Sequence, residues 1–197
     1  MKFSGRATVV QASVLGQIVN LTLSDTGFHE WGSNGGKASA KLAVINVPTL
    51  LHAELLVART RAGVNGGLAN NKARSDAYLA NITLSVLGLV TVNADLIEAH
   101  SRATCSNAGN ARVKGWSKIV DLKVNGILKA DVEVTTAPNQ VLLNLLGIKL
   151  ISNEQKESGN GGDFREITVS ALHLDAGLLA QVYVSRAHSD IKCANHS

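Results

Sequence analysis

A polar–apolar alternation recurs along this chain and limits, more than anything else in the sequence, what it can fold into. Lys37-Ala38-Ser39-Ala40-Lys41-Leu42-Ala43-Val44 puts Ala38, Ala40, Leu42 and Val44 on one side of an extended strand. Glu166 to Ala171, Gln181 to Ser185 and Val132-Glu133-Val134 repeat the pattern. Successive side chains of a strand point to opposite faces, so these segments read as half-buried antiparallel strands. Turn signals separate them: Gly27, Asn34-Gly35-Gly36, Asn65-Gly66-Gly67, Asn107 to Gly109, Asn125-Gly126 and Ser158 to Gly162. Asn-Gly accepts positive φ and makes tight turns, which marks Val124-Asn125-Gly126-Ile127 as the clearest hairpin candidate. Pro48 ends one strand, and Pro138-Asn139-Gln140 turns into another.

The pattern predicts an all-β chain, an antiparallel β-sandwich or jelly-roll-like fold of about ten to twelve strands, forming one domain over residues 1–197. Residues 68–87 are alanine-rich and compatible with a helix, but Ile82, Thr83 and Val86 and the break at Leu87-Gly88-Leu89 favour a strand. No fixed-period repeat points to a solenoid or propeller.

Aromatic residues make up 4% and hydrophobic residues 45%, so the core has to be built from Val, Ile, Leu and Ala. Thin aliphatic side chains suit two closely packed sheets better than a pocket with aromatic walls. The net charge of +4 raises the question of nucleic acid. Lys37, Lys41, Arg59, Arg61, Lys72 and Arg74 are scattered singly, with few aromatics to stack on bases, and no nucleic-acid partner is expected. Apolar runs such as Val86 to Val90 are far too short to span a bilayer, so no membrane insertion is expected. Met1 to Arg6 enters strand-like sequence without the apolar stretch of a secretory signal, which implies cytoplasmic synthesis or a trimmed signal.

Cys105 and Cys193 admit two readings: one disulfide closing a long loop, worth about 4 kcal/mol, or two core thiols of a reducing cytoplasm. Neither lies in a Cys-x-x-Cys pair, which argues against a Zn site.

Three constellations carry potential chemistry. In Phe28-His29-Glu30-Trp31-Gly32, His29 and Glu30 offer metal ligands and Trp31 a platform for a sugar ring; the plainer reading is an exposed turn whose Trp packs over a sheet edge. Asn153-Glu154-Gln155 and His173 can bring a carboxylate to an imidazole across strands, as a general base or as a structural polar loop. His188 and Asp190 share a strand face near Cys193 and His196, a mixed metal set or ordinary surface residues. Nucleophile elbows, His-Glu-x-x-His helices and phosphate loops are missing from the sequence. No enzyme, metal or cofactor is expected.

In order along the chain stand Phe3-Ser4-Gly5-Arg6-Ala7, Ala43 to Leu51, Gly88 to Ile97, Ala103-Thr104-Cys105, Leu122 to Gly126, Ala137 to Gln140, Ile151 to Gln155, Ile167 to Leu174 and Ser189 to Cys193. This ordered set resembles the bacterial choice-of-anchor P family. The resemblance implies an exported β-rich domain at a cell surface and pairing of Cys105 with Cys193. The chain differs in having no signal-like start and no sorting motif before Ser197, which a spore layer or inclusion assembled from protein made in the mother cell would reconcile. Two functions follow as expectations: a structural protein that self-assembles through strand edges, with Phe3 to Leu15 as the donated strand, or an adhesin-like module contacting glycans or a protein through Trp31 and Trp116.

Overall fold

The computed structural model describes residues 1–14, 19–32, 34–63, 71–86, 88, 90–126 and 135–193. Among these, fifteen strands follow in chain order: β1 (Lys2–Val14), β2 (Val19–Asp25), β3 (His29–Trp31), β4 (Gly36–Leu42), β5 (Ile45–Val47), β6 (Leu51–Ala53), β7 (Leu55–Gly63), β8 (Lys72–Val86), β9 (Val90–Cys105), β10 (Ala111–Val120), β11 (Lys123–Gly126), β12 (Gln140–Leu145), β13 (Ile148–Gly159), β14 (Phe164–Asp175) and β15 (Ala180–Lys192). The number exceeds the sequence expectation because β3, β5, β6 and β11 span only three or four residues, too few for alternation to register. Lys72–Val86 is a strand, so the alanine-rich stretch is not helical over its described part; residues 68–70 and 87 lie outside the described residues.

All pairings are antiparallel. Sheet A runs β12-β13-β14-β15-β1-β2, with β3 also on β1; sheet B runs β10-β9-β8, with β11 on β9, β6 and β5 beyond one part of β8, and β7 and β4 beyond another. β1, β14 and β15 pack on β7 to β10, and one cluster of buried residues from Ala7 to Ala187 draws on both sheets. Neighbours in each sheet are mostly hairpin-connected, so of the two architectures expected the sandwich is the one formed.

Two expectations change. Asn125-Gly126 is not a hairpin turn: both residues sit in β11, opposite Thr91 and Val90 of β9, while Ile127 and the alternating Val132-Glu133-Val134 lie outside the described residues. The N-terminal strand is not a free edge either. β1 is held by β15 on one side and by β2 and β3 on the other, so its backbone groups are paired along both edges, as their burial demands. Val44 also leaves the face assigned to it, since β4 ends at Leu42 and Val44 is 66% exposed.

A row of left-handed residues creases sheet A. Asn153, Ser185 and Ser24 have φ of 49°, 51° and 48° and occupy one line across β13, β15 and β2, with Ala171 and Val9 between them. At the crease two consecutive residues face inward, as in Ser152-Asn153, Ala171-Leu172, Val184-Ser185 and Val9-Val10, all buried. Left-handed φ is unfavourable for residues other than glycine. The crease is held by side chains: Ser185 Oγ donates to Ile97 O across the sandwich at 2.9 Å, Ser24 Oγ to Ala40 O at 3.0 Å, and Asn153 Nδ2 to Thr136 O at 2.9 Å.

On either side of the crease the core differs. One half is filled by large residues, among them Leu84, Val92, Leu150, Leu172, Leu174 and Val182. The other half is closed by small ones. Gly5 of β1 lies so close to sheet B that a Cβ there would sit 2.2 Å from Thr60 Oγ1 and 2.9 Å from Ser75 Oγ. Ser75 Oγ donates to His188 O at 2.6 Å and lies 2.8 Å from Thr60 Oγ1, while Ser101 and Ser189 hydroxyls meet at 2.8 Å. These hydroxyls are fully buried, and each has a partner, which such burial demands. Few aromatics are present because the sheets approach too closely here to hold them. Beside this seam Cys105, the last residue of β9, is bonded to Cys193 just past β15, with Cα atoms 5.8 Å apart. Phe3, Ala73, Ala103, Ala111 and Ile191 pack around the bond.

Candidate functional site

With the space between the sheets filled, charged side chains gather on the two outer faces. On sheet A, Thr168, His188 and Arg6 are directly opposite one another across β14, β15 and β1, and Glu166, Asp190 and Ser4 form the next row. His188 Nδ1 is 2.9 Å from Thr168 Oγ1, and its Nε2 is 3.5 Å from Asp190 Oδ2. Ser4 donates its hydroxyl proton to Asp190, and Ser158 Oγ donates to Glu166 at 2.5 Å. Burial alone would raise the Asp190 carboxyl, but His188 and Ser4 hold it below its ordinary value. Arg6 forks onto Asp25 at 2.5 and 3.0 Å. A shallow hollow of about 200 Å³ lies between Arg6, Phe28, Arg186 and His188.

Glu166, His188 and Asp190 each offer one ligand atom, all within 4.8 Å of one another. An imidazole with two carboxylates is a donor set that suits a divalent transition metal. The same atoms already satisfy one another through Thr168, Ser4 and Ser158. Of the residues that the sequence offered as a mixed metal set or as ordinary surface residues, His188 and Asp190 do meet, Cys193 is consumed by the disulfide, and His196 lies outside the described residues. Glu166 went unnoticed because only the β14–β15 register brings it opposite Asp190.

His29, Glu30 and Trp31 form β3 rather than a loop, because Phe3, Ser4 and Gly5 of β1 offer them a ladder. His29 and Trp31 stack at 5.6 Å with planes 11° apart, and His29 Nε2 approaches Thr26 O at 2.6 Å. Trp31 packs on the core around the disulfide and presses on Gly36, where a Cβ would meet its indole at 2.1 Å. Glu30 points the other way, as alternation requires, so His29 and Glu30 do not share a ligand. Trp31, Glu30, Phe164 and Asp190 border an open depression of about 510 Å³.

The carboxylate–imidazole pair read from the sequence is formed. Glu154 Oε1 lies 3.3 Å from His173 Nδ1, and Lys156 Nζ is 3.1 Å from the same oxygen. Burial would raise the Glu154 carboxyl, yet His173 and Lys156 keep it below its ordinary value. His173 stacks on Tyr183 at 4.1 Å, and its Nε2 meets Gln181 Oε1 at 2.7 Å. Asn153 and Gln155 do serve backbone and amide groups as a structural reading expects, with Gln155 Nε2 donating to Gly115 O at 3.2 Å and to Asn153 Oδ1 at 3.0 Å, but inside β13 rather than in a loop.

Sequence reasoning missed a third cluster on the outer face of sheet B. Asp76 and His100 are opposite each other on β8 and β9, with His100 Nδ1 2.7 Å from Asp76 Oδ1 and Nε2 3.1 Å from Glu98 Oε2. Arg74 Nε adds a 2.8 Å contact to Asp76. Trp116 stacks on His100 at 4.9 Å, and Tyr78 meets it edge-on at 5.4 Å. Period two in Arg74-Ser75-Asp76 and Glu98-Ala99-His100 was visible, but not their register.

Burial alone would lower the His100 pKa; Asp76 and Glu98 overcome it and raise it above its ordinary value. A raised folded pKa means that the stabilisation is complete below the unfolded value near about 6.5 and is lost as pH rises through the folded value. The melting temperature is therefore expected to fall as pH rises above the ordinary imidazole range, and the fall should flatten in His100→Gln. Parallel pH profiles for the two proteins would contradict the ion pair's contribution. Asp25, Asp76, Glu154 and Asp190 act at the other end: their lowered values mean stability lost on acidification.

Compared with known proteins, the chain matches no family model, no curated protein and no solved structure.

Proposed function

We propose that this chain is a non-enzymatic structural module of a bacterial cell- or spore-surface layer, and that it associates with copies of itself. The observation that carries this reading is an apolar tip. Leu146 and Leu178 are 80% and 91% exposed, with Leu145 and Leu179 beside them. They stand on the β12–β13 and β14–β15 turns, which the Lys149–Asp175 pairing sets side by side. Contiguous exposed leucines mark an association surface in a water-facing protein. The disulfide supports an oxidising location, as does the ordered resemblance to the choice-of-anchor P family. The three acid–imidazole groups, around His100, His173 and His188, are each held in polar contacts, and His100 and His173 also stack on Trp116 and Tyr183, which supports a role without catalysis.

Sedimentation velocity and electron microscopy without reductant test this directly. Concentration-dependent assemblies are expected for the native chain, and monomers for Leu146→Asp with Leu178→Asp. Monomers of the native chain at high concentration would overturn the reading. The depression beside Trp31 favours a second reading, a glycan-binding adhesin, which specific hits on a glycan array lost in Trp31→Ala would support.

A further inference from the structure

The basic residues that look scattered along the sequence converge on the outer face of sheet B. Lys37, Arg61, Arg74, Arg102 and Lys114 are directly opposite one another on β4, β7, β8, β9 and β10, so that five cations line up in a single row. Arg74 is paired with Asp76. Among the described residues the other four have no acidic partner, and all four are exposed. The flanking rows add Arg59, Lys72 and Arg112 against Asp76, and the row beyond Asp76 sets Lys41 and Lys118 against Glu98. Like charges directly opposite on a sheet oppose folding, so this row is not explained by stability.

We infer that this face binds a linear acidic polysaccharide, one carrying carboxylate or sulfate groups along an extended chain. Adjacent strands are about 4.8 Å apart, so the row spans about 19 Å with a cation at every strand, a repeat of the order of one sugar ring. Three of the five cations are arginines, whose planar forks pair bidentately with carboxylate and sulfate. Charge complementarity alone would also suit nucleic acid or an anionic membrane, but the other features of the face do not. Single strands need free aromatic faces, and here Trp116 and Tyr78 are both engaged by His100. Duplexes need a helix, ribbon or arm to enter a groove, and the described face is a sheet surface with no helix projecting from it. Membrane surfaces reward apolar insertion, whereas the exposed large apolar residues, such as Leu146 and Leu178, lie off these rows.

Affinity electrophoresis of the oxidised, full chain in gels containing polygalacturonate tests the inference, with fully methyl-esterified polygalacturonate as the uncharged control. Retardation is expected at low salt in the acidic polymer only, and it should disappear as salt is raised. Arg61→Gln with Arg102→Gln should weaken binding at least tenfold while melting no lower than the native chain, because a like-charge contact is relieved. Lys37→Gln with Lys114→Gln, at the ends of the row, should weaken it severalfold, and Trp31→Ala should leave it unchanged. No retardation, equal retardation in the esterified gel, or full binding by both double variants would overturn the inference. So would tighter binding to a single-stranded oligothymidylate or to phosphatidylserine vesicles. These results are independent of self-association, which Leu146→Asp with Leu178→Asp should abolish without touching the row.

Discussion

Replacing Cys105 and Cys193 together by alanine should cost about 4–5 kcal/mol, the loop-closure value for their sequence separation of 88 residues. For a chain of this size that corresponds to a fall in melting temperature on the order of 10–15 °C. Thermal unfolding with and without reductant checks it, and the native protein in reductant should behave like the double variant. The effect should be large because the bond joins the end of β9 in sheet B to the segment after β15 in sheet A. It also anchors the small cluster of Phe3, Ala73, Ala103, Ala111 and Ile191, which has little apolar area of its own. A change below about 1 kcal/mol would mean that the two sheets are held at this end by packing alone.

Gly5→Val should be destabilising by about 3 kcal/mol, at the upper end of what overpacking costs. Any side chain at Gly5 must displace Thr60 Oγ1 and Ser75 Oγ, and through them the hydroxyl that Ser75 donates to His188 O. Gly5→Ala should be milder, and Thr60→Ala should relieve part of its cost, since the nearest atom is then gone. Urea denaturation of the two single variants and the double variant gives the coupling energy. Additive costs would show that Gly5 does not touch the opposite sheet.

Much of the fold was legible because alternation with period two depends only on which side a residue faces. Lys37 to Leu42 and Glu166 to Ala171 became β4 and part of β14 as read. Alternation fails at the crease, where Asn153, Ser185 and Ser24 turn left-handed and two residues in succession face inward. Asn153-Glu154-Gln155 therefore looked like a loop, although it lies in the middle of β13. The Glu154–His173 pair was still anticipated, although β14 sets Ser170, not His173, directly opposite Glu154 and the two meet on the diagonal. Asp76 with His100, and the row from Lys37 to Lys114, were not. Each of their members is isolated in sequence, and only the pairing of five strands makes them neighbours. The same blindness made the basic residues look dispersed and β1 look like an edge.

If the small-residue half of the sandwich is sealed, chemistry and recognition are confined to the outer faces and the apolar tip. Native-state hydrogen exchange across Ala73–Ala77, Ala99–Ala103 and Ala187–Ser189 measures that seal most directly. The amides there should exchange only through global unfolding, with the same free energy as Leu150, Leu172 and Val182 in the large-residue half. Exchange through a smaller, local opening at Ala73–Ala77 and Ala187–Ser189, while the leucine-rich half stays protected, would reveal a cleft between the sheets and contradict this picture.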